Sequence, residues 1–411
     1  MDFNWEKDSA IFDEFLAKRP EVNQGQLKQN LEHYYLPYIA KLIDLKKKKS
    51  STDGIIVGVS AIQGAGKTTQ GEILEILLKH LGFTSVSRSI DDHYVTHQKL
   101  CEIRQQDPRF IRRGVTHDIP LAILDLRDLQ QMGESPIIVS GYDKGAHQGD
   151  GDRFRWVNIV QGAELKAAVV TETMTVNKQI QEVLSLRLTE LTFAGKEILL
   201  SENMGSLVPI VEKLLPEELI TFLNTQKGQT VTVTEKDQDN VLFSGTGEVI
   251  IPKKSLPTAW RLVTKKPDFI FYDGWMLGAR QVTDESVFSS GLPALEKESD
   301  QEFAKMVNKK LESYAHLWMM FEFLNVLYVA NYQMSLKWRD QAEETLRAKG
   351  GGMTHDQITE FVHYFWRSVH PGIHIKNLVH DTEHTNQVVI INDDHSVGEM
   401  LTPEEAIQRY P

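Results

Sequence analysis

The chain has 411 residues, of which 41% are hydrophobic and 25% charged, and its formal net charge is −12. This balance is typical of a globular protein and disfavours broad binding to nucleic acid or to an anionic membrane surface. Its single cysteine, Cys101, excludes a disulfide within the chain, so we expect a reducing compartment.

The N-terminal segment, residues 1–50, is predicted to be helical. Its first residues carry mixed charges and lead into no apolar stretch, which argues against a signal or transit peptide. Pro37 is expected to kink or divide the helix. No apolar run in the chain approaches the length of a membrane span, so we expect a cytoplasmic protein without a membrane partner. The buried helix face is predicted to contain Leu31, Tyr34, Tyr35, Tyr38, Ile39 and Leu42.

A glycine-rich segment joins a predicted strand, residues 54–59, to a predicted helix that ends near Gly82. Strand, glycine turn, Gly-Lys-Thr and helix together predict a phosphate-binding P-loop, in which backbone amides and the helix dipole hold an anion. Lys67 would reach the outer phosphates and the Thr68 hydroxyl would reach Mg²⁺. Ala61 replaces the first glycine of the usual pattern, which a negative φ allows. An ordinary strand-to-helix turn is the alternative. The predicted nucleotide-binding residues are Gln63, Gly64, Ala65, Gly66, Lys67, Thr68 and Thr69.

A second strand is predicted over residues 83–90, and two acidic residues, Asp91 and Asp92, follow it. Ligands of parallel α/β sheets lie at the carboxyl ends of the strands, so Asp91 is a candidate to accept a proton from a substrate hydroxyl. An Asx turn or a helix cap is the alternative for Asp91. Asp92 is expected to point to the opposite face of the strand end.

Further along the chain, a helix over residues 121–132 and a third strand over 136–140 are predicted. Residues 157–262 then differ in character, with a helix predicted over 176–190 and strands near 230–233 and 248–251. No chemical motif occurs there. We interpret the segment as an inserted α+β subdomain with a stabilising or interaction role rather than a catalytic one.

The core pattern resumes with a strand over residues 267–272, followed by Asp273, which could hold Mg²⁺ directly or through water. Capping is the alternative for Asp273. A strand over 325–330 leads to a helix on which Arg339 and Arg347 are two turns apart, so both could close over a transferring phosphoryl group. Surface solvation is the alternative for Arg347. A capping box at Thr354 starts another helix, and the last strand is predicted over 387–391.

Five or six buried strands that alternate with helices predict an α/β fold. Specifically, we expect a doubly wound parallel sheet of the P-loop NTPase type, with a helical N-terminus and the inserted subdomain. The predicted domains are an N-terminal helical segment at 1–50, a first core part at 51–156, the insertion at 157–262, and a second core part with a lid at 263–411.

A P-loop alone does not separate kinases from switches or motors. A GTPase switch would need an Asn-Lys-x-Asp base reader, which the sequence lacks. A carboxylate at the end of a neighbouring strand suits phosphoryl transfer to an alcohol, which favours a small-molecule kinase.

Seven segments, taken together, resemble D-glycerate 3-kinase of the plant and fungal type, within the wider group of uridine kinase, pantothenate kinase and phosphoribulokinase. They occur in one order on both sides of the insertion, at residues 60–69, 89–94, 142–146, 149–153, 273–278, 307–314 and 338–343. The resemblance implies dependence on ATP and Mg²⁺ and transfer of the γ-phosphoryl group to a small hydroxylated acceptor. It also implies that Asp91 takes the place of the base carboxylate and Arg339 that of the lid arginine.

D-glycerate is the leading acceptor, and uridine, pantothenate or another alcohol is the alternative. An acidic acceptor needs a cationic clamp, for which Arg113, Lys144 and Arg153 are candidates, and Asp92 and Tyr94 are further candidate substrate-binding residues.

Three departures from the family pattern are evident. His93 stands where that pattern usually has Phe, Asp273 stands where it usually has Glu, and the insertion follows the substrate-side loop. They motivate a second hypothesis, a catalytically inert nucleotide-binding regulator. The sequence leaves the oligomeric state open.

Overall fold

The structure is a computed structural model that describes residues 3–133, 137–153, 172–175, 192–193, 196–197, 230–236, 242–243, 248–252, 261–263, 265–347 and 352–411. The chain divides into two compact units. The larger unit comprises Met1–Asp91, Glu102–Gln130 and Pro267–Pro411, and the smaller comprises Asp92–Cys101 and Gln131–Lys266. In the described part of the chain, no helix is both long and apolar enough to cross a membrane.

The α-helices of the described residues lie mostly in the larger unit, and several are preceded by a tighter or wider helical turn. Turns of 3₁₀-helix occur at Ser9–Phe12, Ile90–His93, His147–Gly149, Glu285–Ser289 and Leu311–Tyr314, and π-helical turns at Leu31–Tyr35 and Pro371–Ile375. The α-helices are α1 (Trp5–Asp8), α2 (Asp13–Lys18), α3 (Gln24–Asn30), α4 (Leu36–Lys48), α5 (Lys67–His80), α6 (His97–Gln106), α7 (Ile119–Gln130), α8 (Glu298–Lys310), α9 (Ala315–Trp318), α10 (Met334–Arg347), α11 (His355–Ser368), α12 (Lys376–Val379) and α13 (Pro403–Arg409).

The β-strands form one six-stranded sheet and several smaller ones. They are β1 (Ile55–Ala61), β2 (Ser85–Ser89), β3 (Ile137–Val139), β4 (Tyr142–Asp143), β5 (Asp152–Arg153), β6 (Glu172–Thr175), β7 (Thr192–Phe193), β8 (Lys196–Glu197), β9 (Thr230–Lys236), β10 (Leu242–Phe243), β11 (Glu248–Pro252), β12 (Arg261–Val263), β13 (Phe269–Gly274), β14 (Phe323–Tyr328), β15 (Gln387–Ile391) and β16 (Val397–Leu401).

The six-stranded sheet has the order β16-β15-β14-β1-β13-β2 and belongs to the larger unit. The pairs of β1 with β13 and β14, of β13 with β2, and of β14 with β15 are parallel, whereas β16 pairs antiparallel with β15. This mostly parallel sheet with helices confirms the predicted α/β fold. Since β13 lies between β1 and β2, one strand separates the P-loop strand from the strand that precedes Asp91.

Both faces of the sheet are covered, which explains the continuous apolar runs in its strands. Val57 and Leu327 pack on one face with α5 and the N-terminal helices. Val326 and Val388 pack on the other face with Leu378 of α12. The predicted aromatic stripe of the N-terminal segment is buried, with Tyr38 fully inaccessible. Pro37 is the second residue of α4 and directly follows the π-helical turn Leu31–Tyr35, so this wider turn accommodates the missing N–H of the proline.

A chain of buried polar side chains connects the N-terminal helices to the sheet and to α5. The hydroxyl group of Tyr34 accepts hydrogen bonds from Gln70 Nε2 and from Asn325 Nδ2, the latter at 2.9 Å. Gln387 Nε2 donates to Asn325 Oδ1 at 3.1 Å, and Lys41 Nζ donates to Gln387 Oε1 at 2.8 Å. Burial raises the pKa of Tyr34, so its hydroxyl stays neutral.

Three details of the predicted strands are wrong. The strand β3 does not join the main sheet but pairs antiparallel with β12, so the apolar run identified a strand without identifying its partner. The strand β15 is not the last one, because β16 follows as an antiparallel edge strand of more polar composition. Asp273 lies inside β13 rather than after it.

In the smaller unit, the described strands of residues 157–262 include a four-stranded sheet with the order β10-β11-β9-β6. The strands predicted near residues 230–233 and 248–251 are present as β9 and β11. The helix predicted over residues 176–190 lies outside the described residues. The four-domain division remains a prediction.

Candidate active site

The P-loop connects β1 to α5 in the larger unit. Ala61 is the last residue of β1, and Gly64 and Gly66 have φ angles of 84° and 86°, which side chains disfavour. A Cβ atom on Gly64 would also lie 2.8 Å from Trp338 Cβ, so this glycine lets α10 pack against the loop. Gly66 precedes the first turn of α5 without a capping side chain, which favours an anion at this helix N-terminus.

Lys67 and Asp273 line one small cavity between α5 and the sheet, together with Val59 and Ser87. Lys67 Nζ donates hydrogen bonds of 2.9 Å to the carbonyl oxygens of Ala61 and Ile62. The ammonium group therefore closes over the loop. Thr68, which follows it in the first turn of α5, is exposed.

Ser89 links the two acidic candidates and was missed in the sequence. The parallel register places Ser89 opposite Asp273, and Ser89 Oγ donates to Asp273 Oδ1 at 3.2 Å. The same oxygen accepts a hydrogen bond of 3.3 Å from the backbone N–H of Asp91. Register across neighbouring strands brings these residues together, and the sequence gives no signal for that register.

Asp91 lies in the 3₁₀ turn Ile90–His93, directly after β2. The alternation of side chains along β2 does not continue to Asp92, because the backbone is helical there. Consecutive residues of a 3₁₀-helix are about 120° apart, so the two carboxylates still point in different directions. Asp92 belongs to the smaller unit, whereas Asp91 belongs to the larger one.

Arg339 lies on α10 directly after Trp338, the residue that packs on the P-loop. Its Nη2 donates to Glu343 Oε1 at 2.5 Å, and its guanidinium group lies 5.2 Å from the ring centroid of Phe361. Arg347 instead binds Asp340 Oδ1 and the carbonyl oxygen of Met353, at 2.9 and 2.8 Å. Arg347 thus ties the end of α10 to the segment before α11, and its closure over a phosphoryl group stays a prediction.

A second arginine, Arg112, lies near Arg339 and was also missed in the sequence. Its guanidinium group is 4.9 Å from the same Phe361 ring. Its neighbour Arg113, the predicted clamp residue, lies in the same loop between α6 and α7 and its carbonyl oxygen accepts a hydrogen bond from Thr116 Oγ1 at 2.6 Å. A run of arginines in a polar stretch does not show which of them faces a site.

The remaining candidates belong to the smaller unit. Tyr94 is buried, and its ring lies 5.4 Å from that of Tyr142. Tyr142 pairs with Arg153 between β4 and β5, and Lys144 lies exposed in the turn after β4. His93 is also buried.

The P-loop residues and Asp273 of the larger unit are chemically suited to a nucleoside triphosphate and its metal ion. The glycine backbone and Lys67 suit phosphate oxygens, and the hydroxyl of Thr68 and the carboxylate of Asp273 are hard oxygen ligands of the kind that Mg²⁺ prefers. A Glu would reach further than Asp273, but the hydrogen bond from Ser89 fixes the shorter side chain in place.

No family model matches the chain. The chain is 31% identical over 140 residues to the chloroplastic D-glycerate 3-kinase of Arabidopsis thaliana, an alignment that covers 31% of each protein. It is 29% identical over 122 residues to the uncharacterized kinase mug58 of Schizosaccharomyces pombe, covering 28% of this chain and 44% of that protein. The matched segments thus span less than half the length of either curated relative.

A solved structure matches over a much larger part of the chain. The D-glycerate 3-kinase from Cryptococcus neoformans var. grubii has a TM-score of 0.55 and 18% sequence identity, and the match covers 89% of this chain and 96% of that one. The chain is similar to D-glycerate 3-kinases in sequence and in fold. This confirms the resemblance that the motifs indicated.

Proposed function

We propose that the protein is an ATP-dependent kinase that transfers the γ-phosphoryl group to a hydroxyl group of D-glycerate. The observation that carries the proposal is the placement of Lys67, Asp273 and Asp91 at the carboxyl ends of three successive strands, β1, β13 and β2. The sequence similarity to a D-glycerate 3-kinase supports the choice of acceptor. The proposal places the reaction in the cytoplasm and requires no nucleic acid or membrane partner.

In the proposed mechanism, the P-loop amides and Lys67 bind the phosphates of ATP and orient the transferring group. Lys67 exchanges its two carbonyl contacts for phosphate oxygens, so the ammonium neutralises charge that develops in the transition state. Thr68 and Asp273 would hold Mg²⁺, which offsets the negative charge of the phosphates when bound.

Asp91 orients the acceptor hydroxyl and accepts its proton as the new O–P bond forms. Because the transition state of phosphoryl transfer is loose, orientation accounts for much of its effect. Arg339 would release part of its contact with Glu343 and donate to the transferring phosphoryl group. Lys144, Arg153 and Arg113, together with Asp92 and Tyr94, are proposed to bind the acceptor.

The test is a panel of acceptors with the purified full-length protein, ATP and Mg²⁺, and product formation is followed for hydroxy acids, glycerol, nucleosides and pantothenate. We expect D-glycerate to give the highest kcat/KM. Turnover of a nucleoside or pantothenate without turnover of D-glycerate would overturn the acceptor. ATP binding without turnover of any acceptor would favour the inert regulator, which the substituted His93 and Asp273 motivate.

A further inference from the structure

Two arginine side chains in the larger unit lie against one aromatic ring. The guanidinium carbons of Arg112 and Arg339 are 4.9 and 5.2 Å from the ring centroid of Phe361. The three residues come from the loop after α6, from α10 and from α11, so the fold assembles this pair from separate segments. A cation over an aromatic ring is stabilised, but two neighbouring cations repel each other.

The charge of Arg112 has no carboxylate partner within the described residues. The Nε atoms of Arg112 and Arg339 are both buried without a hydrogen-bond acceptor in the described part of the chain. Other arginines of the same loop differ, since Arg109 binds Asp107 with two hydrogen bonds of 2.9 and 2.7 Å. Arg104, in the last turn of α6, donates to the carbonyl oxygens of Phe110 and Ile111. Arg112 therefore has unused donors at a place where positive charge is concentrated.

The arginine pair lies beside the P-loop. The ring of Phe361 is 5.0 Å from that of Phe365, which is 4.9 Å from that of Trp275 at the end of β13. Phe365 and Trp275 line one cavity with Gln63 of the P-loop. Trp275 Nε1 and Gln63 Oε1 are likewise buried without a partner among the described residues, and Trp275 is only 9% exposed. Two residues that line this cavity, Gln63 of the P-loop and Trp275, therefore carry buried polar atoms that lack partners among the described residues.

The backbone of Arg112 is held firmly in place. The hydroxyl group of Tyr364 on α11 donates to the carbonyl oxygen of Arg112 at 2.8 Å. Gly114 has a φ of 48°, and a Cβ atom there would lie 2.8 Å from the same hydroxyl oxygen. Because this contact fixes the loop before any ligand binds, Arg112 can present its guanidinium group with little ordering cost.

We propose that Arg112 binds the carboxylate of an acidic acceptor, beside Arg339, which donates to the transferring phosphoryl group. This inference rests on the proposed function and names a residue that makes the proposed kinase select acidic acceptors. The planar guanidinium group of Arg112 donates two parallel hydrogen bonds to a carboxylate, which an alcohol without that group cannot accept. The phosphates of ATP have the P-loop amides and Lys67, whereas the acceptor carboxylate needs a cation of its own.

The experiment compares Arg112→Gln and Arg112→Lys with Arg109→Gln as the matched control. Arg109 is an arginine of the same loop that also lies over a phenylalanine ring, but its guanidinium group is paired with Asp107. Steady-state kinetics are measured with D-glycerate and with glycerol, in which a CH₂OH group replaces the carboxylate. ATP affinity is measured by titration, and thermal unfolding checks that each variant is folded.

For Arg112→Gln we expect the KM for D-glycerate to rise by about 10- to 100-fold, with a smaller change in kcat and ATP affinity within about twofold. The preference for D-glycerate over glycerol should fall by a similar factor. Arg112→Lys keeps the charge but loses the planar guanidinium group, so its KM for D-glycerate should lie between those of the parent protein and Arg112→Gln. If Arg112→Gln does not fold, Arg112→Lys provides the test. Arg109→Gln should behave like the parent protein.

An unchanged KM for D-glycerate in Arg112→Gln overturns the inference. Loss of ATP affinity with an unchanged acceptor KM also overturns it, since the pair would then bind nucleotide phosphate. If the parent protein turns over no D-glycerate, the proposed function fails, and calorimetric binding of D-glycerate beside a non-hydrolysable ATP analogue decides the inference separately. Binding that Arg112→Gln loses and Arg109→Gln keeps supports it, and absence of binding to the parent protein overturns it.

Discussion

Asp91 is the residue on which the proposed chemistry depends most. An alcohol is a poor nucleophile at neutral pH, so a carboxylate must orient it and accept its proton. Asp91→Asn keeps the shape and removes the proton-accepting charge. We therefore expect kcat to fall by a factor on the order of 10²–10⁴, with ATP affinity little changed. Steady-state kinetics with an ATP-binding titration measure both effects.

Asp92→Asn is compared with Asp91→Asn, and we expect it to lower kcat less. Both residues belong to the turn Ile90–His93, in which neighbouring side chains point about 120° apart. Only one of them can therefore face the acceptor hydroxyl in the same way. An inactive Asp92→Asn beside an active Asp91→Asn would show that Asp92 is the base, and full activity of both variants would contradict the mechanism in its central residue.

Single residues also show how far the sequence predicts the site. The P-loop could be predicted because its glycines, Lys67 and Thr68 act within one local turn, so spacing along the chain is the relevant geometry. Ser89 and Arg112 could not be predicted in this way. The hydrogen bond from Ser89 to Asp273 depends on strand register, and the position of Arg112 on Phe361 depends on the packing of two segments that are distant in sequence.

At the level of elements, the apolar patterns predicted which segments are strands and helices but not how they pair. The three-residue strand β3 is apolar like a core strand, yet it pairs with β12 and stays outside the main sheet. The edge strand β16 went unpredicted because, with one face exposed, its pattern is weakly apolar. The capping box of Thr354 and Gln357 was predicted and is present at the start of α11, since capping is a local interaction.

The N-terminal helices are expected to stabilise α5, the helix that follows the P-loop, through Tyr34. Tyr34→Phe removes the acceptor of both Gln70 and Asn325 and leaves two donors unsatisfied in a buried place. The expected loss is about 1–3 kcal/mol in the free energy of unfolding, measured by urea denaturation. Because Gln70 lies in the second turn of α5, a modest loss of ATP affinity should accompany it.

Tyr35→Phe provides the control for Tyr34→Phe. Tyr35 is buried beside Tyr34, with ring centroids 4.8 Å apart, and its hydroxyl group makes no hydrogen bond in the described part of the chain. Its loss should change the free energy of unfolding by less than about 0.5 kcal/mol. Equal stability of the two variants would mean that the polar chain contributes nothing to the fold.

For the whole molecule, we predict that residues 160–260 are dispensable for ATP binding. The P-loop, Asp91, Asp273 and Arg339 all belong to the larger unit, whose six-stranded sheet contains no strand of that segment. A variant in which a short flexible linker replaces the segment still contains β3 and β12. Their pairing can therefore hold together the parts of the chain on either side of the linker. Nucleotide affinity should stay within a few-fold. Lost ATP binding in a folded deletion protein would assign the segment to the nucleotide site.

The pH dependence of stability should reflect two buried histidines of the larger unit. Burial lowers the pKa of His370 and of His374 from 6.5 to about 4. Both are therefore neutral in the folded protein near pH 5, whereas the unfolded chain takes up protons there. His370 Nδ1 accepts a hydrogen bond from the backbone N–H of Gly372 at 3.1 Å, a contact that protonation of this nitrogen would break.

Since the unfolded state binds more protons between pH values of about 6.5 and 4, stability must fall as the pH drops through that range. We expect each histidine to contribute about 1–2 kcal/mol to the loss of unfolding free energy between about pH 7.5 and pH 5. Urea denaturation at the two pH values measures the total change in the free energy of unfolding. His374→Gln lacks one of the two titrating groups, so its stability should depend less steeply on pH. An unchanged pH dependence in that variant would show that His374 titrates alike in the folded and unfolded chain.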